Sequence, residues 1–157
     1  MDQETKYNTM TVFIGADHRG FNLKEKLKSW LDEKGMSYED LGAVSYDKAD
    51  DYPIYAERVA RKVAGDNLSF GIVLCGSGAG VDIVANKIDG VRSCLGINPE
   101  QVKAARQDDN VNVLSIASDF VDEKTALLMV NEFLNTAYLN SKSHERRVNQ
   151  VKDIEKQ

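Results

Sequence analysis

The chain has 157 residues, 42% of them hydrophobic and 29% charged, with a formal net charge of −5. That length fits one domain with a substantial buried core. The negative balance, offset by no long basic stripe, repels nucleic acid and anionic membrane, and no apolar stretch is long enough to span a bilayer. The two cysteines, Cys75 and Cys94, make no disulfide framework, so buried free thiols and a cytoplasmic setting are the default. Residues 1–9 are polar and read as a frayed or disordered leader, not a signal peptide. Residues 10–157 read as one domain without linker or internal repeat.

Residues 10–15 are a short β-branched apolar run, the pattern of a buried strand. Leu23, Leu27, Trp30 and Leu31 then recur at helical spacing, and Gly35 supplies a stop. A weak strand follows over 36–41, then a polar loop over 42–51. Pro53 suits the first turn of a helix running to about Gly65. A second strong strand, 70–74, runs directly into Cys75-Gly76-Ser77-Gly78-Ala79-Gly80 and a helix to about Ile88. Residues 91–95 form the next strand, Pro99 opens a helix to about Gln107, and 113–116 form another strand. Asp122 caps a helix to about Tyr138, and in the tail from Ser143 the residues Val148, Val151 and Ile154 again show helical spacing.

Strand and helix alternate about five times, which predicts an α/β fold with a parallel sheet and helices on both faces. Right-handed crossovers make that a doubly wound αβα sandwich. Ligands of such sheets bind at the carboxyl ends of the strands. The segments to inspect are therefore 15–20, 75–80, 96–99 and 118–121.

The glycine-rich segment after the central strand is the most informative. Glycines between strand and helix let the backbone turn tightly and bring N–H groups close to a ligand. Those groups can stabilise an oxyanion, and a thiol beside a helix N-terminus ionises more readily. The alternative is a phosphate-gripping turn with an inert cysteine. A nucleoside-triphosphate loop lacks its Gly-Lys-Ser/Thr, and the glycine spacing is not the dinucleotide one. Asp17-His18, after the first strand, can bind hydroxyls, shuttle protons or meet a phosphate; equally, Asp17 caps the next helix and His18 is solvated. In Asp51-Tyr52-Pro53, Tyr52 either lines a pocket or shapes a helix start. Asp108 and Asp109 sit at a helix C-terminus, against the dipole, and cations in Lys142-Ser143-His144-Glu145-Arg146-Arg147 crowd a helix start. An anionic ligand or a partner's carboxylates would relieve the second arrangement; a solvated face is the plainer reading. The two histidines and two cysteines give no metal-ligand spacing.

Taken in order, these stretches resemble the ribose-5-phosphate isomerase B and galactose-6-phosphate isomerase family over about residues 11–154. The matches are Gly15-Ala16-Asp17-His18, Asp51-Tyr52-Pro53, Gly71 through Gly80, Ala85-Asn86-Lys87, Gly90-Val91-Arg92, Asn112-Val113 and His144-Glu145-Arg146-Arg147-Val148. The resemblance implies a Rossmann- or flavodoxin-like sandwich of about five mainly parallel strands. It implies a homodimer or dimer of dimers with sites between subunits, and a C-terminal helix, about 143–156, packing on the partner. The implied reaction is aldose–ketose interconversion of a sugar phosphate with no cofactor and no metal. Carried over, Cys75 moves the proton through an enediolate, with Ser77 and Asp108 as further catalytic groups. Gly76, Gly78, Ala79 and Gly80 cradle the charge. Asp17, Tyr52 and Asp109 hold the sugar, and His18 and Arg147 lie near the phosphate.

The departures fall at one end. The family's ring-opening histidine and following asparagine stand here as Asp108 and Asp109. Two expected phosphate arginines align with Asp119 and with Ser143, the latter beside Lys142. Beside the ribose 5-phosphate to ribulose 5-phosphate reading that the resemblance implies, these changes raise an altered substrate as the alternative, either another sugar phosphate or an unphosphorylated sugar. A non-catalytic sugar-binding subunit is the alternative from another class, and a yellow flavin carrier a remote third.

Overall fold

The computed structural model describes residues 10–157; the leader expected over 1–9 lies outside them. Five strands form one parallel sheet: β1 (Val12–Ala16), β2 (Tyr38–Asp40), β3 (Phe70–Cys75), β4 (Ser93–Leu95) and β5 (Val113–Ala117). Their order is β2-β1-β3-β5-β4. β1 and β5 are buried at every residue. These inner strands read as continuous apolar runs because helices cover both faces. The edge strands β2 and β4 are three residues long and none of their residues is buried.

Six helices among the described residues connect and flank them: α1 (Phe21–Glu33), α2 (Tyr52–Ala64), α3 (Ala79–Ala85), α4 (Pro99–Asp109), α5 (Glu123–Asn135) and α6 (Lys142–Ile154). The strand order fixes their faces. A right-handed crossover that steps outward from β1 to β2, or back inward from β4 to β5, puts its helix on one side. The steps β2 to β3 and β3 to β4 run the other way and use the opposite side. The packing follows this rule. Val12, Ile14, Ile72, Leu74, Leu114 and Ile116 meet α1, α4 and α5 in one core. Phe13, Val73, Cys75 and Val113 meet α2 and α3 in the other.

Several boundaries differ from the sequence expectation for local reasons. α3 stops at Ala85 because Lys87 and Ile88 turn back on Val84 and Ala85 in tighter bonds. Val91 donates to Ile88, so β4 begins only at Ser93. α5 ends at Asn135, where Thr136 becomes extended, and Leu139 then ties this connection to Gln107 of α4. α6 starts one residue before the expected Ser143, capped by Ser141 accepting from the His144 N–H. It lies along its own chain, with Val148 buried and Glu155 accepting from the Gly90 N–H at 2.9 Å.

Candidate active site

β3 lies between β1 and β5, and the connection after β3 leaves toward a different face from those after β1 and β5. A crevice therefore opens at its carboxyl end, the expected ligand position in such a sheet. Cys75 is the last residue of β3, paired in register with Ala117. The residue is 4% exposed and packs with the α2–α3 core. Gly78 then takes φ 70°, a left-handed conformation that favours glycine. A side chain there would collide with Leu95 and the β5 backbone. α3 has only seven residues, so what it offers is less a long dipole than the N–H groups of Ala79, Gly80 and Val81. These precede the first intrahelical bond, from Asp82 N–H to Gly78 O at 3.2 Å. Ser77 Oγ sits 3.4 Å from the Ala79 nitrogen, and the Tyr52 ring of α2 lies against Gly80. The cysteine loop, Ser77 and Tyr52 are thus neighbours, as the sequence reading expects.

Beside them, at the end of β1, Asp17 is 4% exposed and accepts the N–H groups of Arg19 at 3.0 Å and Gly20 at 3.1 Å. It shapes the turn that leads into α1 but does not cap the helix, whose N-cap is Gly20 with no side-chain cap bond. Burial pushes its carboxyl up, and the two N–H donors only partly oppose that. His18 is held by Asp50, whose Oδ1 accepts the His18 backbone N–H at 2.9 Å and lies 2.7 Å from Nδ1. The Asp50 side chain is itself 5% exposed. With Nδ1 engaged, Nε2 is left as the ring's working atom. Asp17, His18 and Asp50 bring one ligand atom each within 4.8 Å, the one such group among the described residues. Asp17 Oδ1 accepts backbone N–H groups and Asp50 Oδ1 meets His18, so these atoms form a hydrogen-bonded cluster, while Asp50 Oδ2 is buried without a hydrogen-bond partner.

Across the crevice, Asp119 donates its backbone N–H to Gly76 O at 3.0 Å, and its carboxylate pairs with the Arg19 guanidinium. That guanidinium lies over Gly76, so a side chain at that position would have to push the Arg19 side chain aside. Arg19 and Asp50 escaped the sequence reading. Their only signal was position: Arg19 follows Asp17-His18, and Asp50 precedes Asp51-Tyr52-Pro53.

The remaining expected residues form a second group elsewhere. Asp108 and Asp109 end α4, four residues before β5 begins, whereas Cys75 pairs with the last residue of β5. The two groups therefore sit at opposite ends of the sheet, roughly 13 Å apart along the strands alone. Asp108 Oδ1 is 3.3 Å from His144 Nε2, whose Nδ1 is 2.7 Å from Ser141 Oγ. Asp109 and Arg147 line a cavity of about 500 Å³ between α4, α6 and β4, which also holds Cys94. Burial, then the charges of Asp82 and Asp109, push the Cys94 thiol up to about 12, so it stays neutral.

Residues 12–151 match the Ribose/Galactose Isomerase family. The fold and that match define an aldose–ketose isomerase. The chain belongs to the ribose/galactose isomerase family. It is 36% identical to ribose-5-phosphate isomerase B of Mycolicibacterium paratuberculosis, over 94% of this chain and 92% of the relative. Against the Escherichia coli protein of that name it is also 36% identical, over 92% and 95%. A crystal structure of ribose-5-phosphate isomerase B from Mycoplasma genitalium with bound ribulose-5-phosphate superimposes with a TM-score of 0.91, at 36% identity over 95% and 98% of the two chains. No helix among the described residues is long and apolar enough to cross a membrane.

Proposed function

We propose that this protein interconverts ribose 5-phosphate and ribulose 5-phosphate, with Cys75 as the proton-transferring base. The observation that carries the reading is the Cys75 turn, set between Asp17-His18 and Asp119 at the carboxyl end of the central strand. The Cys75 thiolate takes the proton from C2 of the open-chain aldose. The electron pair moves to the C1 carbonyl oxygen, giving an enediolate; a proton passes from the C2 hydroxyl to the C1 oxygen, and as the C2 carbonyl forms the same proton or one from solvent returns to C1. The N–H groups of residues 79–81 and the Ser77 hydroxyl stabilise the developing charge. Asp17 accepts from sugar hydroxyls, and Tyr52 shapes the wall. The reaction is proton transfer alone, so the proposal calls for no metal or organic cofactor.

Asp108, Asp109 and Arg147 enter this site only from a second copy of the chain. A homodimer, or a dimer of dimers, sets the α4–α6 corner of one subunit over the crevice of the other. Asp108 of the partner subunit then opens the sugar ring, and Arg147 of the partner subunit faces the phosphate. The C-terminal helix takes part in that contact; Val151 at 47% and Ile154 at 67% exposure leave it an apolar edge for the purpose. Both cysteines are free, which supports a cytoplasmic setting.

A steady-state assay on ribose 5-phosphate tests the reading. Turnover comparable to that on any other phosphorylated aldose supports it. Turnover only on unphosphorylated sugars, or binding without exchange of the C2 proton, contradicts it.

A further inference from the structure

The segments that follow β1, β3 and β5 frame the crevice: residues 17–20, 76–78 and 118–122. They contain Asp17, Asp119 and Asp122, one histidine, and a single cation, Arg19. A phosphate ester entering over Cys75 therefore meets an acid-rich rim in its own subunit, relieved at one point. That point is held in an unusual way. The Arg19 backbone is fixed by the Asp17 carboxylate, its side chain lies over Gly76, the residue after Cys75, and the Asp119 carboxylate pairs with its guanidinium.

Two features decide what this pair is for. The Arg19 side chain is 56% exposed and that of Asp119 is 35% exposed. An exposed ion pair of this kind contributes little to stability. It is therefore a poor fold clamp and a cheap one to open. A phosphate dianion offers the guanidinium more charge and a bidentate fit than one carboxylate does. The Asp17 carboxylate already holds the Arg19 backbone, so the exchange asks only the two side chains to move.

We propose that Arg19 is the phosphate-binding residue contributed by the subunit that carries Cys75, and that Asp119 holds its guanidinium in place until the substrate phosphate displaces it. Arg19 thus supplies the charge that residue 119 does not. It sets the specificity of this rim for a phosphorylated sugar, and Asp119 weakens phosphate binding by competing for it. This rests on the reading of the Cys75 turn as a sugar-phosphate site.

The test uses the full-length protein and inorganic phosphate as probe. The inhibition constant of phosphate, and KM and kcat on ribose 5-phosphate, are measured for the wild type, Arg19→Ala, Asp119→Asn and the double variant. Circular dichroism confirms that each is folded. Arg19→Ala is expected to weaken phosphate about tenfold or more, with the loss falling on KM more than on kcat. Asp119→Asn should tighten phosphate several-fold, and that gain should vanish in the double variant, since the two residues act as a pair. If phosphate binds Arg19→Ala within roughly twofold of wild type, or if Asp119→Asn gains equally with and without Arg19, the assignment is wrong. A loss confined to kcat, with phosphate affinity unchanged, also overturns it by moving Arg19 to the reacting carbons. Wild-type protein that binds phosphate through Arg19 but does not turn over ribose 5-phosphate contradicts the isomerase reading instead, so the two failures separate.

Discussion

One carboxylate oxygen of Asp50 meets both the backbone N–H and the ring Nδ1 of His18, at 2.9 and 2.7 Å. A loop residue 32 positions away thus sets the plane of an imidazole beside the Cys75 turn. Asp50 also acts on α2, where burial and then the charge of Asp50 hold the Tyr55 phenol up.

The first prediction follows from that geometry. Asp50→Ala leaves Nδ1 without its partner and lets the ring rotate. Losing a buried hydrogen bond to a charged group costs about 1.5–3 kcal/mol, so KM on ribose 5-phosphate should rise roughly 10- to 100-fold. Asp50→Asn, which keeps an acceptor, should recover part of the loss. Equal damage from both variants would show that Asp50 serves the fold and not the imidazole.

A second prediction concerns the shared site. If Asp108 works on the Cys75 of the other subunit, Cys75→Ser and Asp108→Ala proteins are each inactive but complement when mixed and re-assembled. Statistical exchange into dimers returns about a quarter of wild-type activity, because half the dimers carry one intact site. No recovery, with subunit exchange verified by mass, would place both residues on one subunit's chemistry or remove Asp108 from it.

Stability should respond to Lys24, which is fully buried, bonds both oxygens of Asp40 at 2.7 and 2.8 Å and joins α1 to the edge strand β2. Lys24→Ala leaves Asp40 with Lys28 and the Gly42 N–H, and breaking a buried pair of this type costs about 3 kcal/mol. Burial alone would push the Asp40 carboxyl up, but hydrogen bonds from Lys24, Lys28 and the Gly42 N–H outweigh it and hold the carboxyl below its usual value. The folded state thus favours the ionised form. Its contribution is present above the unfolded value of about 4 and is lost as pH falls through the lower folded value. Urea unfolding from pH 7 to pH 2 should show that acid-linked loss in the wild type and much less of it in Asp40→Asn.

Asp17 has the opposite sign. Its carboxyl is raised by burial, so ionisation works against folding, and its contribution fades as pH rises through the folded value. Asp17→Asn should therefore be as stable as the wild type or more so near neutral pH, while turnover falls. Thermal melts beside activity assays check this, and a joint loss of both would show that the carboxylate is structural.

Much of this was readable from residues alone. The inner strands were plain because Val12–Ala16, Phe70–Cys75 and Val113–Ala117 are covered on both faces and carry apolar runs in which Ser115 is the one polar residue. The edges were less so. Val91 looks like strand but is drawn into a turn by Ile88, and Tyr138 follows a helix that Thr136 has already ended. In the site, Cys75 and Asp17 were legible because each immediately follows or ends a recognisable strand. Asp50 and Arg19 were not, since their roles depend on contacts with residues 32 and 100 positions away. The separation of Asp108 from Cys75 needed the strand order, which no local pattern contains.

The central claim is that the Cys75 thiolate moves the proton, although the thiol is nearly enclosed. Ribulose 5-phosphate in deuterated solvent isolates that step, since its C1 hydrogen exchanges only if a base removes it. Wild-type protein and the Cys94→Ala variant should exchange it at comparable rates, and Cys75→Ser, folded by circular dichroism, should lose at least about a thousandfold. Exchange by Cys75→Ser at the wild-type rate would contradict the account outright.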